Sequence, residues 1–443
     1  MMIIDSSNVY QEYDRKCVSA LYAARQLEGT KNLILGMSVA MPPGLMAGVM
    51  AALKKHDIAP LSIYYMHGTE ALKNTLLSPE MKSLVTPHPL FMSAHDRDAI
   101  KRMGDSNSMQ FVPATFHQVG RMLTEHISPD CFMVTVSKMD KHGYFSLGTN
   151  ADYGASVIRK AKKIIIEVNE NMPRTFGECT VHISEVDYLI ENNQPLIESH
   201  AQEASNTDLK IATQIADYIR DEDTLQMGIG GVPNAVLSLL SEHKDLGLHS
   251  ELFSPAIAKL VQQGVITGKK KSWMQHKHVF TLAIGNRAMY DFMDDNPSVV
   301  GYPASWVNNP NIIRKNKNMV SVNAAIEVDL AGQINAEQLN GQTFSGTGGQ
   351  LDFVRGAYAS ENGRSFVALH STAKKGTISR IVPRLKGSAV TDTRMDTHFV
   401  VTEYGNVNLK GKSLPERSRA LIQLAHPLFR DELKQQAQEL GLL

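Results

Sequence analysis

The 443-residue chain carries 45 Lys plus Arg against 45 Asp plus Glu, so no global field recruits nucleic acid or an anionic membrane surface. Its length exceeds what one hydrophobic core supports, and 43% apolar with 20% charged residues is material for two packed cores rather than a disordered chain. Cys17, Cys131 and Cys179 are too few for a disulfide framework and suit a reducing compartment.

The N-terminal MMIIDSSNVYQEYDRK reaches an acid at its fifth residue and has no apolar h-region, so a cytoplasmic protein without a secretory signal is expected. Residues 33–53, LILGMSVAMPPGLMAGVMAAL, are uncharged and long enough to imitate a membrane span. Pro42-Pro43 sits at their centre, which predicts a strand, a glycine-containing loop and a helix beginning at Pro43. KKIIIEV (162–168) reads as a strand. The polar stretch 190–205, with Pro195, marks the junction between an N-terminal domain, 1–197, and a C-terminal domain, 198–443.

NTDLKIATQIADYIRD (206–221) has the apolar spacing of an amphipathic helix, and VFTLAIG (279–285) reads as a strand. The second half repeats the plan of the first. TLQMGIGGVPNAVLSLLSEH (224–243) again gives an apolar run, a glycine loop, a proline and a helix, and Asp140-x-x-Gly143 is echoed by Asp329-x-x-Gly332. Strands alternating with helices predict α/β layers around a mainly parallel sheet in each half.

GIGGVPNAV fails the dinucleotide fingerprint because Pro233 stands where the third glycine belongs. There is no Walker A motif, zinc-binding H-E-x-x-H or G-x-S-x-G elbow, so no nicotinamide and no metal is expected. Glycine loops can still bring backbone N–H groups against a ligand, and FSGTGGQLDF, with Gly346, Gly348 and Gly349, is the second such loop. Glu251, in LGLHSELF, is a carboxylate running into Leu252 and Phe253. A buried unpaired carboxylate is costly and either neutralises or serves a purpose.

Five ordered segments carry a resemblance over essentially the whole chain: QMGIGGVPNAV, GLHSELF, SVNAAIEVDLAGQIN, SGTGGQLDF and VVTEYGNVNLKGKSL. Together they resemble the acetyl-CoA hydrolase/transferase family, most of all its 4-hydroxybutyrate and butyryl-CoA:acetate CoA-transferases. The resemblance implies two similar open-sheet α/β domains of the NagB/RpiA/CoA-transferase-like type. It also implies transfer of coenzyme A between acyl-CoA and short-chain carboxylates such as acetate, butyrate or 4-hydroxybutyrate. The glutamate of the family's H-[ST]-E-[LM]-F segment falls on Glu251, whose carboxylate would attack the thioester, giving an acyl-glutamyl anhydride and then a glutamyl-CoA thioester.

By the same resemblance, Gly228, Ile229, Gly230, Gly231 and Val232 approach CoA, and Gly346, Gly348 and Gly349 supply backbone near the reacting carbonyl. Asn323 is the expected polar contact to Glu251 or its oxyanion, and Lys374 the expected contact to the CoA phosphates. The run Lys269-Lys270-Lys271 reads as a solvated loop, His249 as a structural histidine, and Glu403 as structural. Asn406-Val407-Asn408 departs from the family's usual apolar pair after E-Y-G. A homodimer is expected for an enzyme of this size. An acyl-CoA hydrolase using the same glutamate is the nearest alternative, ahead of a sugar-phosphate isomerase with Glu251 as base and of a non-catalytic CoA-binding module.

Overall fold

A computed structural model describes residues 6–105, 107–199 and 203–443. The first five residues of the N-terminal stretch and residues 200–202 of the expected junction lie outside them. The chain forms two compact units: Met1–Ser199 with Val279–Trp306, and His200–His278 with Val307–Leu443. The expected boundary after residue 197 falls beside the first crossing, but a single cut misses residues 279–306, which pack with the first unit. Their anchors are hydrogen bonds from the Asp152 N–H to the Thr281 carbonyl (3.0 Å) and from the Ala283 N–H to the Thr149 carbonyl (2.7 Å), and pairing of Val299–Gly301 with Phe176–Gly177. VFTLAIG is accordingly two short strands, His278–Phe280 and Leu282–Ala283, broken at Thr281.

The first unit is built on six parallel strands: β1 (Asn32–Leu35), β2 (Leu61–Met66), β3 (Val85–Phe91), β4 (Cys131–Val136), β5 (Ile164–Val168) and β6 (Tyr188–Glu191), in the order β3-β2-β1-β4-β5-β6. Every side chain of β4 and β5 is buried, as both faces of a parallel sheet are covered. The segment that imitated a membrane span is β1 and the helix Pro43–Lys54, which starts at the proline as expected. Its first turn lacks a side-chain cap, and the buried Glu167 of β5 takes the Leu45 N–H instead, at 2.9 Å. No helix among the described residues is long and apolar enough to cross a membrane.

The second unit is built on a related plan, with one strand instead of two on the far side of its first strand: β7 (Thr224–Met227), β8 (Gly247–Leu248), β9 (Met319–Ala324), β10 (Arg364–Ala368), β11 (Phe399–Thr402) and β12 (Gly405–Asn408), in the order β8-β7-β9-β10-β11-β12. Only the last pair is antiparallel. The correspondence reaches single bonds. Gly36 after β1 donates to the Met133 carbonyl of β4 (2.7 Å), and Gly228 after β7 donates to the Val322 carbonyl of β9 (2.8 Å). Asp140 and Asp329 each accept two backbone N–H groups around a turn closed by a left-handed glycine, Gly143 or Gly332.

In both sheets the chain leaves the first strand for one side and returns on the other, which opens a crevice at the carboxyl ends of the strands. The helix Asn206–Ala216 begins at a Ser205–Asp208 capping box. The helix Gln350–Ala359 carries the second glycine loop at its N-terminus and lies close to Ile313: a Cβ at Gly356 would fall 2.6 Å from Ile313 Cβ. Mid-helix Gly→Ala ordinarily stabilises by up to ~1 kcal/mol, so the sign at this position is informative. Gly356→Ala should lower stability by about 1–3 kcal/mol through overpacking, read as a drop in denaturation midpoint; a rise would mean that the helix–Ile313 contact yields without strain.

Candidate active site

Glu251 lies just beyond the carboxyl end of β8, the edge strand of the second sheet. Its segment is held from several directions. The His249 N–H donates to the Leu225 carbonyl of β7 (3.1 Å), and Leu252, Phe253 and Ser254 behind the glutamate are buried. Ser254 then caps the helix Pro255–Gln262 by accepting the Ile257 N–H. The glutamate is thus fixed between a strand end and a helix start.

The carboxylate meets two donors. Asn308 Nδ2 donates to Oε2 at 2.6 Å, and the Gly349 N–H donates as well. A Cβ at position 349 would overlap both Glu251 Oε2 and Asn308 Nδ2, so only glycine lets the backbone approach this closely. Burial pushes the carboxyl from 4.5 up to about 7, against these two bonds and with help from the negative charge of Asp352, on the same helix as the glycine loop. The group is partly open to solvent, so it is accessible to a ligand while poorly hydrated. Asn308 Oδ1 and Ser250 Oγ beside it are buried without a hydrogen-bond partner among the described residues.

His249 is fully buried, and its Nε2–H donates to the Val307 carbonyl at 2.8 Å. Burial lowers it to about 3, so it stays neutral and holds the backbone next to Asn308 rather than exchanging protons. The SGTGG loop is restrained from outside. Thr347 Oγ1 donates to Glu337, and Gln350 Nε2 donates to the buried Asp392 at 2.7 Å. Gly346 and Gly348 have positive φ, and Gly349 forms the helix N-cap. Two carboxylates therefore aim the loop whose backbone contacts Glu251.

Asn323 does not contact Glu251. It belongs to a buried polar cluster across β7 and β9, where its Nδ2 donates to Ser321 Oγ (3.0 Å) and Gln226 Nε2 donates to its Oδ1 (3.1 Å). The amide that reaches the carboxylate is Asn308, which the sequence hid in an unremarkable Asn-Asn-Pro turn before the helix Pro310–Ile313. Gly228 packs directly against Asn323: a Cβ there would lie 3.1 Å from Asn323 Oδ1. Ile229 is 59% exposed, and Gly231 backs onto Asp208, which accepts from His370 Nε2 at 2.9 Å.

Lys374 lies in the turn of the Thr372–Ala373/Ile378–Ser379 hairpin after β10, exposed and at positive φ beside Lys375 and Gly376, which share that conformation. Glu403 accepts the Ser371 N–H (2.9 Å) and Oγ–H (2.6 Å), tying the ends of β10 and β11 together. The lysine run divides: Lys269 and Lys270 pair with Asp245 and Glu222 at the surface, whereas Lys271 is buried. The solvated-loop reading fails for that residue because its ammonium finds two backbone carbonyls.

The first unit has a cavity of about 660 Å³ in the corresponding place, lined at the carboxyl ends of its strands by Ser38, His67, Ser93, Thr135 and Asn169. Burial lowers His67 to about 4, so the cavity presents a neutral imidazole at neutral pH. Among the described residues no group of three or more His, Cys, Asp or Glu could hold a metal ion.

Residues 1–198 match the model of the acetyl-CoA hydrolase/transferase N-terminal domain, and residues 285–437 that of the C-terminal domain. The 4-hydroxybutyrate coenzyme A transferase of Clostridium kluyveri is 39% identical over 95% of this chain and 97% of its own. The succinyl-CoA:cyclohexane-1-carboxylate CoA transferase of Geobacter metallireducens is 38% identical over 97% of each chain. The crystal structure of RipA from Yersinia pestis superposes with a TM-score of 0.94 at 42% identity, covering 98% of this chain and all of that one. With both domain models in order and full-length relatives well above a third identical, the chain belongs to the acetyl-CoA hydrolase/transferase family and is a CoA-transferase.

Proposed function

We propose that this chain moves CoA between an acyl-CoA and a short-chain carboxylate by ping-pong exchange through Glu251, with 4-hydroxybutyrate or butyrate and acetyl-CoA as partners. The observation that carries this reading is a poorly hydrated, solvent-reachable carboxylate pressed onto the Gly349 backbone and bonded to Asn308. Carboxylates are weak nucleophiles in water, and partial desolvation raises their reactivity. The carboxylate oxygen attacks the thioester carbonyl and expels CoA thiolate, leaving an acyl-glutamyl anhydride. The thiolate then attacks the glutamyl carbonyl and expels the acyl group as its carboxylate, which leaves the glutamyl-CoA thioester. A second carboxylate reverses both steps.

The attack of thiolate on the glutamyl carbonyl passes through a tetrahedral oxyanion on that residue, and donors already fixed at the glutamate suit such a charge. The Gly349 N–H and Asn308 Nδ2 are in place for this role, with Gly346 and Gly348 shaping the approach. Gly228, Ile229, Gly230, Gly231 and Val232 form the CoA-facing loop of the proposal, and the exposed Ile229 is available to cover the pantetheine arm. Lys374 is proposed for the phosphates, and Asn323 supports Gly228 rather than the nucleophile. A homodimer in the cytoplasm is the proposed setting, in keeping with three free cysteines. An acyl-CoA hydrolase would use the same glutamate with water as acceptor, and product analysis with and without acetate separates the two.

Trapping tests the nucleophile. After incubation with acetyl-CoA or butyryl-CoA, borohydride should leave a reduced residue at position 251 in peptide mass spectra, and Glu251→Gln should abolish it with at least a thousandfold loss of turnover. An unmodified Glu251 in protein that turns over acyl-CoA would end the proposal.

The raised carboxyl gives two pH effects of opposite sign. The nucleophile must be ionised, so kcat/KM should rise about tenfold per pH unit below 7 and level off above it. For stability, the native state keeps a proton that the unfolded chain has already lost, so the Glu251 contribution falls as pH rises from about 4.5 to about 7. Glu251→Gln should therefore stabilise the protein at pH 8 by up to about 2 kcal/mol, less than the bare shift implies because the carboxylate is partly exposed, and the gain should vanish by pH 4. Thermal melts at both values check the sign.

Gly349→Ala places a methyl group where the carboxylate sits. Turnover should fall at least a hundredfold while the melting temperature moves by only a few degrees; parent-like kinetics would remove Gly349 from the site.

A further inference from the structure

The buried lysine next to the glutamate segment has no place in the exchange chemistry, yet the fold is shaped to hold it. Lys271 is 1% exposed. Its Nζ donates to the Leu248 carbonyl at 2.9 Å and to the Lys277 carbonyl at 2.9 Å, and no carboxylate pairs with it among the described residues. Taking an ammonium out of water without a counter-ion is expensive, and burial lowers this one to about 7, near the two buried histidines His249 and His278. Replacing a buried lysine by an apolar residue is an inexpensive alternative for folding alone, so the position of its ammonium calls for an explanation.

That position lies on the open side of β8. The Gly247 N–H and His249 N–H both face β7, donating to Asp223 and Leu225, so the Leu248 carbonyl between them points to the sheet's free edge. The following chain covers this edge in order. Leu246 exchanges bonds with Val265 and Gly268, and where that pairing stops the Lys271 ammonium takes the next carbonyl. Gly247 makes room for the stem: a Cβ there would lie 2.5 Å from Lys271 Cγ and 2.9 Å from Thr224 Oγ1.

The peptide fixed in this way leads into His249, whose ring holds the Val307 carbonyl, and the next residue, Asn308, holds Glu251. Lys271 therefore sits where one displacement would move both the backbone bearing the glutamate and the amide bonded to its carboxylate. We propose that Lys271 is a positioning residue for the acyl exchange: an ammonium that replaces a missing strand at the edge of β8 and sets Glu251 in register with Asn308 and Gly349. This rests on the reading of Glu251 as the nucleophile.

The test is Lys271→Met, which keeps the stem and removes the donors, together with Lys271→Gln, which restores an N–H₂ group. Steady-state kinetics, single-turnover acylation of Glu251 by acetyl-CoA and thermal melts are read on all three proteins. Lys271→Met should lose about a hundredfold in kcat and in acylation rate, with KM for acyl-CoA within threefold of the parent, and Lys271→Gln should recover about tenfold of that loss and stay at least fivefold below the parent. A cooperatively melting Lys271→Met with kcat within threefold of the parent overturns the proposal, as does a Gln variant no better than Met. If Lys271→Met yields no folded protein, Lys271→Gln decides alone: at least fivefold slower acylation at unchanged KM supports the proposal, and parent-like acylation overturns it. Absence of any Glu251 adduct in the parent would instead remove the nucleophile assignment, and this proposal with it.

Discussion

The close approach of the Gly349 backbone to the Glu251 carboxylate is the contact around which the second unit is arranged. It needs a residue without a Cβ at 349, an amide at 308 on the other side of the oxygen, and a fixed loop on which to present the N–H. Each need is met by a different element. The helix Gln350–Ala359 carries Gly349 at its cap, Glu337 and Asp392 restrain the loop in front of it, and His249 fixes the backbone beside Asn308. The geometry costs stability because it keeps a carboxylate poorly hydrated with only two donors. It is tolerated because the group can retain its proton up to about pH 7.

This arrangement depends on the sheet edge. Most of β7, β9 and β10 is buried and hydrogen-bonded on both sides, leaving little freedom for a reacting group. β8 is two residues long with one paired side, so the chain can turn out of the sheet immediately after Leu248 and present Glu251 beyond it. A short edge strand is also loose, and the segment 265–271 compensates by covering its free side. Freedom at Glu251 and order behind it come from separate parts of the chain.

Much of the architecture was legible because it rests on local signals. Pro43 after a glycine loop marked a helix start, KKIIIEV and TLQM marked buried parallel strands, and the repeated Asp-x-x-Gly marked the same turn in both halves. Glu251 and the SGTGG loop stood out because an acid among apolar residues and three glycines in four positions are each unusual. Asn308 and Lys271 did not. Asn-Asn-Pro reads as a turn and three lysines as a solvated loop, and nothing local shows that the first reaches a carboxylate 57 positions earlier or that the third lysine turns inward. Asn323 misled for the complementary reason: it sits on a central strand beside the Gly228 loop, but Gln226 and Ser321 occupy its amide.

The two units show how related sheets can hold different electrostatics. Both place a histidine after the strand next to the first of the sheet, the part-buried His67 after β2 and the fully buried His249 after β8, and in both desolvation keeps the imidazole neutral. In the first unit that position opens onto a cavity whose lining mixes hydroxyl and amide groups with Glu70 and apolar side chains. In the second, the chain runs on two more residues to Glu251 and closes it against a glycine loop. Two small differences follow a related strand plan: a carboxylate two residues farther on, and a loop with no Cβ to keep it away. Since the sheet, the switch point and the neutral histidine are shared, the fold alone provides a place for a ligand. What sets the second unit apart is that desolvation there acts on a carboxyl, a group that carries charge only after it loses its proton.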